Sequence, residues 1–164
     1  MFRDNISMKI ALLSIGKTDN RLFKEIIDEY VKRLNYYIPF EDIYIPDIKN
    51  RKSISEVEQK NLEGDKLIKA LELTDYIVLL DDKGKKFNSS GFANYIEKKM
   101  YTVPKRLVFI IGGPYGFSKS VYNIANEKIS LSEMTFTHQM VRMIFTEQLY
   151  RAMTIINNEP YHHE

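Results

Sequence analysis

The sequence predicts an α/β fold, a mainly parallel sheet with helices on both faces. Three observations lead there. Short apolar runs recur without the polar–apolar alternation of a half-solvated strand, which is how strands buried on both faces read. Stretches of 3.6-residue periodicity separate them, giving the strand–helix alternation of a parallel sheet. The chain has 164 residues, 44% of them hydrophobic, enough to cover both faces of such a sheet.

Met1 to Ser7 reads as a ragged lead, and residues 8–164 as a single domain. Lys9 to Ser14 is the first buried strand. Leu22, Ile26, Ile27, Tyr30, Val31 and Leu34 make one stripe of a helix from Arg21 to Asn35. Phe40 to Ile45 is the second strand, closed by Pro46. A basic loop, residues 49–52, precedes a mostly polar helix from Ser53 to Leu73, whose Ser53-Ile54-Ser55-Glu56 fits the Ser-x-x-Glu capping pattern. Tyr76 to Leu80 is the third strand, ended by Asp81-Asp82-Lys83-Gly84. Ser89 or Ser90 caps a helix through Met100. Arg106 to Ile111 is the fourth strand and runs into Gly112-Gly113. Ser118 or Ser120 opens a short helix to Asn126, Lys128 to Leu131 is a short last strand, and His138 to Asn157 is a long last helix before an exposed tail from Pro160. Ligands of such sheets bind outside the carboxyl ends of the strands. The site is therefore expected where Leu80, Gly112 and the segment after Leu131 leave the sheet.

With no cysteine, disulfides, zinc–thiolate sites and cysteine nucleophiles are excluded. No apolar run reaches the roughly 18 residues of a membrane-spanning helix, and the N-terminus lacks the apolar centre of a secretory signal. A cytoplasmic protein without a membrane partner is expected. A net charge of +2 permits RNA binding without demanding it.

Gly113 to Ser120 nearly matches the phosphate loop G-x-x-x-x-G-K-[ST]. Ser118, however, stands where a glycine must let backbone N–H groups wrap the phosphates, which disfavours a nucleotide hydrolase. In the last helix Val141, Ile144, Phe145, Leu149, Ala152 and Ile156 form an apolar stripe that Met140, Met143 and Met153 widen. So broad a stripe needs cover on two sides. One cover is the sheet; the other is a partner subunit or simple burial within the domain. His138 and Arg142 stand four apart on one face of this helix, as do Glu147 and Arg151. The tail Tyr161-His162-His163-Glu164 offers a ring for stacking on a base and a histidine for proton handling or hydrogen bonding. Its adjacent histidines have no carboxylate or thiolate at ligand spacing, so no metal is expected.

Several of these segments carry a family resemblance: Ile111-Gly112-Gly113-Pro114, Leu131-Ser132, His138 with Val141-Arg142, Glu147, Leu149-Tyr150-Arg151-Ala152 and Pro160-Tyr161-His162. Together, over Met8 to Glu164, they resemble the SPOUT-class methyltransferases that methylate N3 of a pseudouridine in bacterial 23S ribosomal RNA. The resemblance implies a C-terminal trefoil knot, which general topology rules would not suggest, and a homodimer. It implies S-adenosylmethionine as cofactor, contacted by Leu80, Gly112, Leu131, Ser132, Glu133, Met134, Thr135 and Phe136. It associates His138, Arg151, Tyr161 and His162 with catalysis or RNA binding, and Glu147 more weakly. Tyr115 and His163 depart from the family pattern, which has a small polar or acidic residue at the first position and a basic one at the second.

The implied chemistry is methyl transfer to a weakly acidic imide nitrogen, with His138 or His162 taking the proton and Arg151 stabilising charge on the neighbouring carbonyl. The implied partner is RNA in the large subunit or the whole ribosome, not DNA. A non-catalytic RNA- or ribosome-binding module of the same fold is the rival reading, and it predicts no specific binding of S-adenosylmethionine.

Overall fold

A computed structural model describes residues 7–161; the lead before Ser7, and the tail residues His162 and His163 singled out above, lie outside the described residues. Five strands, all paired in parallel, form one sheet in the order β2-β1-β4-β3-β5. They are β1 (Lys9–Ile15), β2 (Phe40–Ile45), β3 (Tyr76–Lys86), β4 (Arg106–Ile111) and β5 (Glu127–Ser130). Helices α1 (Arg21–Tyr37), α3 (Ser89–Thr102) and α5 (His138–Ile156) cover one face. Helices α2 (Glu56–Lys69) and α4 (Lys119–Ile124) cover the other.

The period-2 geometry of a strand sorts the continuous apolar runs into two cores. Ile10, Leu12, Leu107 and Phe109 point to the first, against Leu34, Ile96 and Phe145. Ala11, Leu13, Val108 and Ile110 point to the second, against Leu67 and Val121. Each of the larger side chains among them contributes about 1.5–3 kcal/mol through burial.

Of the boundaries that differ from the sequence reading, three have a clear local cause. β3 does not end at Asp81 but shifts register after Leu80 and runs on, so that Lys85 and Lys86 pair with Ile129 and Ser130. Residues 81–86 look like a turn because this extension has one face in solvent. It lies against β5 so closely that a Cβ on Gly84 would be 2.5 Å from the Ile129 amide nitrogen. Ser53 ends a single 3₁₀ turn instead of capping α2. Ser55 is the cap, accepting from the Glu58 amide at 3.1 Å. Asn88, not Ser89 or Ser90, caps α3 by accepting from the Gly91 amide at 2.7 Å.

α5 lies between α1 and α3. These helices supply flanking cover within the chain, and no residue of α5 is exposed. No helix among the described residues is long and apolar enough to cross a membrane.

Candidate active site

The carboxyl ends of β3, β4 and β5 open into one cleft with two lobes. The larger, about 390 Å³, lies against Leu80, Gly112, Phe117, Phe136, His138 and Val141. The smaller, about 140 Å³, lies against Leu80, Leu131, Ser132, Met134, Thr135 and Phe136. Leu80, Asp81, Asp82, Phe136 and Val141 border both. The cleft thus gathers Leu80, Gly112, Leu131, Ser132, Met134, Thr135, Phe136 and His138 from three separate stretches of sequence. Glu133 stays outside both linings, its carboxylate ion-paired with Lys86. The loop before α5 is held by its own turns: Ser132 Oγ accepts from the Met134 amide at 3.0 Å, and Ser130 Oγ donates to the Ser132 carbonyl at 2.9 Å.

The glycine pair is there for a reason the sequence did not disclose. A Cβ on Gly112 would sit 3.1 Å from the Phe117 ring, and one on Gly113 would sit 2.0 Å from Glu63 Oε2. Both missing side chains therefore point into the protein, and the turn lies flat on Phe117 and on α2. Glu63 is 2% exposed. Its Oε1 accepts from Gln59 at 2.9 Å, its Oε2 has no hydrogen-bond partner, and burial pushes its carboxyl above the ordinary value. Gln59, Glu63 and Leu67 form the core-facing stripe of α2. Two polar residues in that register were the available signal, and it was missed.

His138 occupies the first turn of α5, behind the cap formed by Thr137. Burial, and then the Arg142 cation, lower its pKa, while Asp47 and a backbone hydrogen bond at Gly112 oppose the shift. The imidazole is neutral near pH 7 and able to accept a proton. Arg142 is not part of the cleft. It is 1% exposed and donates to the carbonyls of Ile15 (2.6 Å) and Gly16 (2.5 Å) and to Thr18 Oγ1 (3.0 Å). Its guanidinium lies 5.0 Å from the Tyr44 ring centre, and burial lowers its pKa. The residue ties the end of β1 to the start of α5.

Arg151 and Tyr161 are elsewhere. Thirteen residues along α5 is about 20 Å of rise and about 220° of rotation from His138, so they sit near the other end of the helix and away from its face. Arg151 donates to Glu147 at 2.7 Å, and Tyr161 Oη donates to the same carboxylate oxygen at 3.3 Å. The Arg151 guanidinium lies 4.8 Å from the Tyr161 ring, which packs edge-on against Tyr150. Burial, aided by a hydrogen bond with Tyr30, raises the Tyr161 pKa. Of the residues expected to act in catalysis, only His138 borders the cleft among those described.

Asp81 and Asp82 were read as the end of a strand, but they rim the cleft. Burial opposes ionisation of Asp81. Hydrogen bonds from Tyr122 Oη (2.5 Å) and the Lys83 amide (2.9 Å) outweigh it and hold the carboxyl below its ordinary value. The cleft therefore combines apolar walls, backbone edges and a carboxylate rim, which suits a ligand that is part heterocycle and part cation.

Fold and cleft together define a parallel α/β protein with an open cleft, the candidate site, at the carboxyl edge of its sheet. A family model described as "Predicted SPOUT methyltransferase" matches residues 8–162, and the chain belongs to the SPOUT methyltransferase family. It is similar to proteins named ribosomal RNA large subunit methyltransferase H. The one from Parabacteroides distasonis is 66% identical over 96% of this chain and all of that protein. Those from Phocaeicola vulgatus and Flavobacterium johnsoniae are 57% and 55% identical with the same coverage.

Proposed function

We propose that this protein is an S-adenosylmethionine-dependent methyltransferase acting on N3 of a pseudouridine in 23S ribosomal RNA, in the cytoplasm, with the large subunit or the whole ribosome as its substrate. The observation that carries the reading is the convergence of Leu80, Gly112, Leu131, Ser132, Met134, Thr135, Phe136 and His138 on one cleft. The names of the relatives supply the substrate class. The cofactor, when bound, supplies a methyl group on a sulfonium cation. Leu80, Leu131, Met134 and Phe136 would wall its adenosine, the backbone of Gly112 would meet its polar edge, and Asp81 and Asp82 would face its positive charge.

The remaining work falls to this chain's own side chains. Neutral His138 takes the imide proton of the target base, which makes the nitrogen nucleophilic, and Arg151 stabilises charge on the adjacent carbonyl. Tyr161 and His162 hold the RNA. Fixed alignment of base and methyl group contributes about 7–11 kcal/mol. The lowered His138 pKa has a consequence for pH. Activity persists as pH falls past the ordinary histidine value of about 6.5 and declines only further down.

The homodimer and the trefoil knot belong to the same proposal. In support of the dimer, Met140, Met143 and Ile144 on α5 are half-buried and belong to neither core. Beside them α1 carries Leu22, 67% exposed, and Ile26, 41% exposed. A two-fold partner on this face also gives Arg151 and Tyr161 a cleft to act on, that of the other protomer.

The test is transfer of labelled methyl to ribosomes from a strain lacking this protein, with mapping of the modified base. Calorimetry must also find specific S-adenosylmethionine binding; a protein that binds ribosomes but not the cofactor is the non-catalytic module instead. His162→Ala should lower methylation far more than cofactor affinity.

A further inference from the structure

We propose that a lysine-lined trough along the β5 edge of the sheet holds the phosphate backbone of the RNA strand that reaches the cleft. The inference rests on the ribosomal RNA methyltransferase reading above. The trough starts between α3 and β5 as a groove of about 510 Å³, bordered by Lys85, Tyr95, Lys98, Lys99, Glu127 and Lys128. A second stretch, about 460 Å³, shares Glu127 and Lys128 with it, and shares Asp81, Lys83 and Tyr122 with the cleft. The three depressions follow one another along the surface.

Charge along this path is graded. Lys83, Lys85, Lys98 and Lys128 are exposed and take part in no ion pair among the described residues. The acids beside them are already engaged. Glu127 accepts from Tyr95 Oη at 2.5 Å and from Lys99 at 2.9 Å, and Asp81 accepts from Tyr122. Burial opposes ionisation of both carboxyls, and these hydrogen bonds reverse the effect. The uncommitted charge on the trough is therefore cationic, while Asp81 and Asp82 keep the cleft end acidic, where a sulfonium is expected. At the junction stands Tyr122, 41% exposed, with Lys128 Nζ 5.6 Å from its ring. Such a ring beside a cation is a platform on which a base can stack.

The plainer explanation of these lysines is protection of an edge strand against pairing with another sheet. It accounts for Lys128, which is on β5. It does not account for Lys98, which is on α3, nor for the connection to the cleft. The net charge of only +2 matters too. A protein so nearly neutral must concentrate its phosphate contacts locally if it has any.

The experiment compares two charge-matched triple variants of the full chain, Lys85→Glu/Lys98→Glu/Lys128→Glu and Lys60→Glu/Lys69→Glu/Lys105→Glu. Affinity for purified large ribosomal subunits is measured against KCl concentration. The trough variant should flatten the log–log salt slope by about 2 to 3, and raise the KM for subunits by about tenfold or more. Donor affinity by calorimetry and kcat at saturation should stay unchanged. The second variant should leave slope and KM near wild type. An unchanged slope in the trough variant, or equal losses in both variants, overturns the proposal. If the triple variant does not fold, single Lys→Gln changes replace it, each expected to remove about 1 from the slope. A wild-type protein that binds subunits but transfers no methyl refutes the enzymatic reading alone, because the salt slopes still judge the trough.

Discussion

The two ends of α5 carry the same residue types to different ends. At its start, Arg142 is sealed in protein and spends its hydrogen bonds on the carbonyls that close β1, and His138 beside it borders a formed cleft. Towards its finish, Arg151 keeps 26% of its side chain exposed and interlocks with Glu147 and Tyr161, about 20 Å of helix rise from His138. In sequence both arginines stand four residues from a polar partner on a helix. In space one is a buried fastener and the other a partly exposed group interlocked with its neighbours on the far end of the helix.

Exchanging each arginine for alanine should break the helix's two ends in opposite ways. Arg151→Ala should cost less than about 1 kcal/mol, as a partly exposed pair does, and lower methyl transfer by about 100-fold or more. Arg142→Ala strips the Ile15 and Gly16 carbonyls of their donor and should cost about 3–5 kcal/mol. Denaturant melts and single-turnover rates read the two effects separately. A stable, inactive Arg142→Ala beside an unstable Arg151→Ala would reverse the assignment.

The comparison sharpens further with mixed protomers. His138→Ala and Arg151→Ala should each be nearly inactive alone. If each site takes His138 from one protomer and Arg151 from the other, equal mixing and re-annealing makes half the dimers mixed, each with one intact site. Activity should then recover to roughly a quarter of wild type. No recovery, despite exchange followed by mass spectrometry, would return both residues to a single chain.

What could be read from the sequence follows the same division. The strands were legible because burial on both faces leaves no polar residue in Leu107 to Ile111 or Ile77 to Leu80. The cleft-lining segments were legible by resemblance and by the rule that ligands meet strand carboxyl ends. The extension of β3 was not, because Asp81-Asp82-Lys83-Gly84 has turn composition and only renewed pairing with β5 after a register shift makes it a strand. Nor was the separation of His138 from Arg151. A resemblance groups residues by shared role, whereas distance along a helix is fixed by rise per residue. The glycines were found, but not the packing that requires Gly113, where a Cβ would run into the Glu63 carboxylate.

That last point predicts a coupling at the cleft end. Gly113→Ala drives a methyl into the Glu63 carboxylate and should cost about 1–3 kcal/mol, as overpacking does, with weaker donor binding because the turn lifts. In the Glu63→Ala background the same change should cost less. A double-mutant cycle therefore gives an interaction energy of about 0.5 kcal/mol or more. Strict additivity would mean that the turn yields without touching α2.

The smallest effect is the most diagnostic of Glu63's charge. Its carboxyl is raised in the folded protein by burial, so the unfolded chain releases this proton first as pH rises. Folding is favoured while the group is protonated. That advantage fades from about pH 4.3, the ordinary glutamate value, up through the raised folded value, and then stays lost. Glu63→Gln keeps the shape and cannot ionise. It should match wild type at pH 4 and exceed it by about 1 kcal/mol at pH 8, the scale of an unsatisfied buried polar group. Melting temperatures across that range decide the matter. A gain that is the same at every pH would come from packing, and would mean that the carboxylate beneath the glycine turn carries no charge to relieve.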